Sequence, residues 1–233
     1  MMEACPPDAQ GVIDSAAAPT GEPSAASRVG DGTWKRPLDV LIATLATIGL
    51  SPLIGVVAIL VRIDSRGPVF FRQERLGRDG KPFRMWKFRS MYHNSEDGRH
   101  RDAATAWFAA QPTGNGYKSL ADPRITRVGR FLRRTSLDEI PQLFNVLSGD
   151  MSLVGPRPAI AYELTHYQPW YFERQHVKPG MTGLWQVSGR DTVSAQDMMA
   201  LDIRYVRERT LWLDVRILFL TVPALLGRYS VLG

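Results

Sequence analysis

Apolar residues are unevenly spread along the chain. From Val40 to Val61 run 22 residues without a charge, VLIATLATIGLSPLIGVVAILV, which as a straight helix would measure about 33 Å against about 30 Å of bilayer hydrocarbon. By length alone the segment can span a membrane. Its flanks argue otherwise: Lys35 and Arg36 precede it, Arg62, Arg66, Arg72 and Arg75 follow it, and basic flanks mark the cytoplasmic side. Pro52, behind Gly49 and Ser51, removes a helical hydrogen bond near the middle. A helix broken at Ser51-Pro52 that enters and leaves on one face satisfies both observations. A kinked spanning helix is the competing reading, and a soluble core helix is disfavoured by the length of the run.

Beyond it, GPVFFRQERLGRDGKPFRMWKFRSM holds two runs of mixed aromatic and basic residues around the turn signal Gly77-Arg78-Asp79-Gly80, the pattern of a β-hairpin. In its second strand Lys87 and Arg89 share one face and Trp86 and Phe88 the other, the aromatics reading as core. Residues 93–121 are a polar excursion around a short helix near Ala103–Ala110. From Arg124 to Arg134 arginine recurs every three residues, a basic helical stripe that ordinarily is a solvated face. A loop-rich stretch follows, with Gly155, Pro156, Pro158, Pro179, Gly180, Gly183 and Gly189, and then a helical pattern from Gln196 to about Leu226. Its part from Leu211 is apolar but interrupted by Asp214, Arg216 and Pro223, so it rests on a membrane or packs in the core rather than spanning.

Composition sharpens this picture. The net charge of +6 hides a division: residues 1–33 carry five acids against Arg28, leaving +10 for the remainder. That first stretch is rich in Ala, Pro, Gly and Ser, reads as a disordered tail, and has no basic start followed by an apolar run such as a secretory signal needs. Of 29 basic residues 24 are arginine, which favours forked contacts to phosphate or carboxylate and fits nucleic acid, anionic lipid or a nucleotide. With one cysteine, Cys5, no intrachain disulfide forms, and the four histidines lack zinc-ligand spacing.

Asp138-Glu139 is the candidate for chemistry. One carboxylate can face phosphorus while the other holds a Mg²⁺ ion, which needs few protein carboxylates when phosphates supply further oxygens. Ser136-Leu137-Asp138-Glu139 is equally a capping box with Ser136 as N-cap. In Gly155-Pro156-Arg157-Pro158 two prolines fix an arginine, suited to phosphate or to a surface turn. His176, Lys178 and Arg190 bracket the Gly-rich loop, as ligand-binding or simply solvated groups, and Asp202 and Tyr205 share a helix face, addressing a nucleoside or tethering a loop.

Taken in order, KRPLDVLIATLATIGLSPLIGVVAILVRIDSRGPVFFRQERLGRDGKPFRMWKFRSM, DPRITRVGRFLRRTSLDEIPQLFNVLSGDMSLVGPRP, KPGMTGLWQVSGR and DIRYV resemble the monotopic phosphoglycosyl transferases, the bacterial sugar transferase family, over about residues 34–228. The resemblance implies transfer of a sugar 1-phosphate from a UDP-sugar to undecaprenyl phosphate, with Mg²⁺, giving the lipid diphosphate-sugar and UMP. It implies Asp138 as nucleophile and Glu139 as metal ligand, with Arg133, Lys87 and Arg157, beside Pro156, on phosphates. Lys178 and Arg190 join the substrate-binding set, and Asp202 and Tyr205 lie near the nucleotide. It also implies a re-entrant helix broken at Ser51-Pro52, and a short form of the family that begins exopolysaccharide assembly with galactose or glucose.

The expected fold is α+β and mainly helical. Residues 1–33 form a tail, 34–66 a re-entrant membrane helix, and 67–233 a catalytic domain with a β-hairpin, long ordered loops and a C-terminal helix on the membrane surface. The expected location is the bacterial inner membrane, facing the cytoplasm against anionic lipid, with self-association and downstream glycosyltransferases as further contacts. A membrane-tethered nucleic-acid binder is the competing class, but no reading module is present. A scaffold without catalysis is another, and it has no need of the acidic pair.

Overall fold

The computed structural model describes residues 33–92, 105–108, 122–189 and 193–225. Nearly all of the expected tail, most of the polar excursion and Arg190 lie outside these residues. The fold is mainly helical α+β. The apolar segment forms α1, Lys35–Asp64, an unbroken helical run through Pro52 in which the Ser51 hydroxyl donates to Ile48 O at 2.7 Å. A break at Ser51-Pro52 is not seen. Its contacts fall at helical spacing: Lys35, Asp39, Ala43, Val57 and Val61 are buried, and Ile42, Ala46, Leu50, Leu53, Ile54 and Ala58 pack beside them. The opposite face is also apolar but exposed, with Leu41, Leu45, Ile48, Val56, Ile59, Leu60 and Ile63. By length and composition α1 can cross a membrane, yet it packs along the body of the protein.

The hairpin forms as expected. Strands β1, Phe70–Leu76, and β2, Pro82–Phe88, pair antiparallel from Phe70↔Phe88 to Leu76↔Pro82. The turn places Asp79 at φ 56° and Gly80 at φ 71°, both left-handed, as tight hairpin turns require. Phe88 is core, whereas Trp86 is half-buried under the Arg72 guanidinium, 3.8 Å from its ring centroid.

Helix α2, Arg127–Thr135, leads through a 3₁₀ turn, Leu137–Glu139, into α3, Gln142–Ser148. A second sheet, absent from the sequence expectations, pairs β3, Ser152–Val154, with β4, Gly180–Thr182, in parallel. Each strand is three residues long, and the pairing depends on close backbone approach: a Cβ on Gly180 would lie 2.1 Å from Gly155 N. Between the strands run two 3₁₀ segments, Ala161–His166 and Pro169–His176. Short α4, Leu184–Val187, precedes α5, Ala195–Glu208, and α6, Leu211–Leu225. The single helical pattern expected from Gln196 is therefore broken at Arg209-Thr210, where the Thr210 hydroxyl accepts Leu213 N–H at 3.1 Å and starts a new helix.

Buried polar contacts fix α1 at both ends. Lys35 Nζ donates to Val154 O and Tyr205 Oη, each at 3.1 Å, and to Asp214 Oδ2. Arg36 donates to Val146 O and Leu147 O, and Asp39 accepts Leu153 N–H at 3.1 Å. At the other end Arg89 donates to Val61 O and Ser65 O, and Asp64 accepts Val128 N–H at 3.1 Å. Removing one partner of a buried pair strands the other charge, typically at about 3–5 kcal/mol. Lys35→Met is expected to lower unfolding stability by about 3 kcal/mol, with Lys35→Met/Asp214→Leu recovering most of it, as read from detergent-solubilised thermal and denaturant unfolding.

Candidate active site

Two close contacts bring α2 to the hairpin. Thr126 caps the helix by accepting Gly129 N–H at 2.9 Å, and Gly129 lies so near Ser90 that a Cβ there would be 2.0 Å from Ser90 O. Arg133, one turn on, then donates from Nε to Ser90 Oγ at 2.9 Å. Helix α2 stops at Ser136, which adopts φ 57°, ψ 16° and returns its N–H to Arg133 O. The capping box read from Ser136 to Glu139 does not form. An N-cap needs extended backbone, whereas this serine is the left-handed C-cap of the preceding helix and makes no side-chain cap bond. A non-glycine residue in this conformation costs about 1 kcal/mol and is a common mark of functional turns.

The turn directs Asp138 inward, where it is 4% exposed, and leaves Glu139 half-buried. Lys87 Nζ meets Glu139 Oε1 at 3.2 Å, with both side chains about one-fifth exposed, 18% and 20%. Burial draws Arg133 below the ordinary arginine value, while Asp138, Asp122 and Glu139 push it back. Asp122 pairs with Arg124 at 2.7 Å on the same side. Thus Lys87, Arg133, Asp138 and Glu139 converge, joined by Ser90 and by Asp122 paired with Arg124. Ser90 and Asp122 are not singled out in the sequence, their only signal being membership of the WKFRSM and DPR segments, while Arg124 is the first arginine of the basic stripe. Among the described residues no three His, Cys, Asp or Glu side chains gather as a metal site. Glu139, one-fifth exposed beside the buried Asp138, is a carboxylate donor of the kind that fits Mg²⁺, which needs few protein carboxylates where phosphates supply further oxygens.

The remaining candidates form different groups. Arg157 forks onto Glu163 with two 3.0 Å bonds, and its N–H donates to Asp202 Oδ2 at 3.2 Å. Asp202 also pairs with Arg174 at 2.6 Å, and Arg174 donates to Tyr167 Oη and Arg157 O. This cluster, with buried Pro156, adjoins the turn end of the hairpin, where Leu76 N–H donates to Ala159 O and Arg75 to Pro158 O. Lys87 pairs with Phe71 nearer the open end, five residues or about 16 Å of strand from Pro82. Tyr205 belongs to the Lys35 contacts, its hydroxyl 2.8 Å from Asp214 Oδ1; burial, then Asp214, pushes it well above the usual tyrosine value and keeps it a donor. Lys178 stands near Arg36 at the end of α3, since a Cβ on Gly149 would meet both side chains.

Asp138-Glu139, with arginine and lysine beside it at the junction of a hairpin and a short helix, is the candidate acid-pair site. The chain matches the bacterial sugar transferase family over residues 30–228 and belongs to it. It is 44% identical over 196 residues to the UDP-glucose:undecaprenyl-phosphate glucose-1-phosphate transferase of Escherichia coli (strain K12), covering 81% of this chain and 39% of that protein. To the undecaprenyl-phosphate galactose phosphotransferase of Salmonella typhimurium it is 46% identical over 194 residues, 83% of this chain and 40% of the relative. To the undecaprenyl-phosphate glucose phosphotransferase of Komagataeibacter xylinus it is 42% identical over 199 residues, 81% and 35% of the two. The chain thus spans about two fifths of the length of the curated relatives it matches.

The second cluster titrates. Burial opposes ionisation of Glu163, but Arg157 and Arg75 prevail and hold it at about 2, below the ordinary 4.5. Its contribution is therefore complete above pH 4.5 and is lost as pH falls toward 2. Asp202 moves the other way, up to about 6 from 3.8, because burial outweighs Arg174, so falling pH through that window favours the folded state. Glu163→Gln is expected to be less stable than the parent by about 3 kcal/mol at neutral pH, the gap closing across the acid window, as measured by thermal midpoints over a pH series.

Proposed function

We propose that this chain transfers a hexose 1-phosphate from a UDP-sugar to undecaprenyl phosphate, releasing UMP, as the first step of exopolysaccharide or related glycan assembly. The observation that carries it is the convergence of Asp138, Glu139, Arg133 and Lys87 in a member of this family, the relatives' names supplying the two substrates. A carboxylate oxygen of Asp138 attacks the β-phosphorus, the bond from that phosphorus to the oxygen bridging to the α-phosphate breaks, and UMP leaves. The phosphate oxygen of the lipid then attacks the same phosphorus and frees Asp138. Division into two displacements lowers each barrier.

Arg133 and Lys87 hold the phosphate oxygens as charge moves onto the leaving UMP. Glu139, with Asp138 beside it, would hold Mg²⁺, which when bound would neutralise phosphate charge. Arg157 reaches a phosphate only by giving up Glu163, so its part, with Pro156, is to shape the loop. Asp202 likewise orders that loop.

The apolar helix associates the protein with a membrane. Both of its ends are hydrogen-bonded to one folded body, which favours a re-entrant or in-plane course over a spanning one, since a spanning helix would part its ends by a bilayer. The basic flanks favour the cytoplasmic side of the inner membrane for that body, and Arg127, Arg130 and Arg134, exposed beside Phe131, suit anionic lipid there. Residues 1–33, 34–66 and 67–233 are tail, membrane helix and catalytic domain in this reading. The names of the relatives divide between glucose and galactose, and either sugar is consistent with the site.

The direct test is purified protein with undecaprenyl phosphate, Mg²⁺ and a panel of UDP-sugars, with UMP and UDP assayed separately. UMP from one sugar is expected; UDP would show ordinary glycosyl transfer and remove the role given to Asp138. Asp138→Asn should lose about 10³-fold or more in turnover with its folding intact. Glu139→Gln should require more Mg²⁺ for half-maximal rate. Reactive labels at residues 30 and 70 should both report the cytoplasmic side, and opposite sides would restore a spanning helix.

A further inference from the structure

We propose that Asn145 is a positioning residue that sets Lys87 against Glu139, an inference that rests on the transferase reading above. It is 1% exposed and lies in α3, six residues beyond Glu139. Its carboxamide addresses the edge of β2 turned away from β1. Nδ2 donates to Arg84 O at 2.8 Å and, at the longer 3.4 Å, to the Asp150 carboxylate, which would face an aspartate at 145 and further raise the pH at which it stays protonated, and Oδ1 accepts Trp86 N–H at 2.9 Å. Those two groups, two residues apart on one edge of a strand, are what a neighbouring strand would pair with, and a carboxamide carries the same donor and acceptor as a peptide group. Asn145 therefore acts as a one-residue strand laid against β2.

Its own backbone is equally tied: Asn145 O accepts N–H bonds from Gly149, Asp150 and Met151 at 3.0 to 3.1 Å. One residue thus fixes the end of α3 and the height of β2 together. Lys87 follows Trp86 directly, so sliding β2 along α3 moves Lys87 Nζ away from Glu139 Oε1, now 3.2 Å away. The apolar contacts between the elements, Met85 and Phe83 with Leu143 and Val146, belong to a cluster without direction and do not set a register alone. The forked carboxamide does, because its two bonds are directional and an unpaired buried partner is unfavourable.

The chemistry of the fork supplies the test. Aspartate at 145 has nearly the same shape, but its ionised form puts a carboxylate against Arg84 O and lacks the donor. Its protonated form again offers one O–H and one C=O, and burial raises the pH at which that form persists. UMP release by the full chain in detergent is followed with undecaprenyl phosphate, Mg²⁺ and the UDP-hexose that the parent uses. At pH 8, Asn145→Asp is expected to lose about 30-fold or more in kcat, with KM for the UDP-hexose changed less than about twofold, because misplacement near 1 Å is enough for such a loss. Activity relative to the parent should recover at least fivefold, or about that, as pH falls toward 6.

The double variant Lys87→Ala/Asn145→Asp should be no slower than Lys87→Ala within about twofold, since the second residue acts through the first. Asn145→Gln, which keeps both groups one methylene further out, should show the kcat loss without the recovery, and it serves where Asn145→Asp fails to fold by circular dichroism. Full kcat in a folded Asn145→Gln or Asn145→Asp at pH 8, or multiplication of the two losses in the double variant, would overturn the proposal. No UMP from the parent would instead remove the transferase reading itself.

Discussion

Lys35 is a cation withdrawn from water at the first turn of the most apolar segment of the chain, and its pairing with Asp214 is the constraint on which the architecture turns. Both side chains are almost fully buried, 8% and 5% exposed, so each needs the other and neither tolerates a displaced partner. The contact converges four elements: α1 through Lys35, β3 through Val154 O, α5 through Tyr205 and α6 through Asp214. Hydrophobic contact alone would leave α1 free to slide, because its whole circumference is apolar. A directional ionic knot selects one register, and Asp39 on Leu153 N–H repeats the selection one turn further along.

Arginine abundance suggested phosphate, yet much of it serves the backbone. Arg36 binds the last carbonyls of α3, Arg89 those at the end of α1, Arg75 Pro158 O and Arg174 Arg157 O. Among the described residues two small sheets and several 3₁₀ turns leave carbonyls without ladder partners, and the five donors of a guanidinium satisfy several at once. The two charge clusters divide accordingly. Arg157, Glu163, Arg174 and Asp202 pair with one another in the interior, whereas Lys87 and Glu139, beside Arg133 and Asp138, are each about one-fifth exposed, 18% and 20%.

Local signals were legible in the sequence. The hairpin followed from alternation and Gly77-Arg78-Asp79-Gly80, and the acidic pair stood out with arginines before it. Long-range partners were not legible. Strands β3 and β4 are too short for periodicity, and the glycines between them read as loop residues though they serve close backbone packing. Asp202 and Tyr205 did share a helix, but nothing local told that one would meet Arg174 and the other Lys35. Ser136 carried the letters of an N-cap and took the geometry of a C-cap, because a helix ended there as another began. The resemblance to the family supplied the reaction, while the geometry decided which of its basic residues stand together.

The exposed apolar faces complete the physical argument. Leu41, Leu45, Ile48, Val56, Ile59 and Ile63 on α1, with Trp212 and Phe219 on α6 at 75% and 77% exposure, are large apolar side chains left facing outward. A bilayer covers such faces without forming specific contacts. For the proposed lipid-phosphate acceptor, what must then be specific is the height of the acidic pair above the hydrocarbon, because such a phosphate stays in the headgroup layer. The structure sets that height through two short links: Asp64 on α1 accepts Val128 N–H at the start of α2, and Ser90 holds Gly129 and Arg133 along it. Helix α2 ends one turn before Asp138. The apolar helix and Asp138 are thus joined by rigid contacts rather than by a linker, and under the proposed reaction depth in the bilayer becomes a coordinate of the acidic pair.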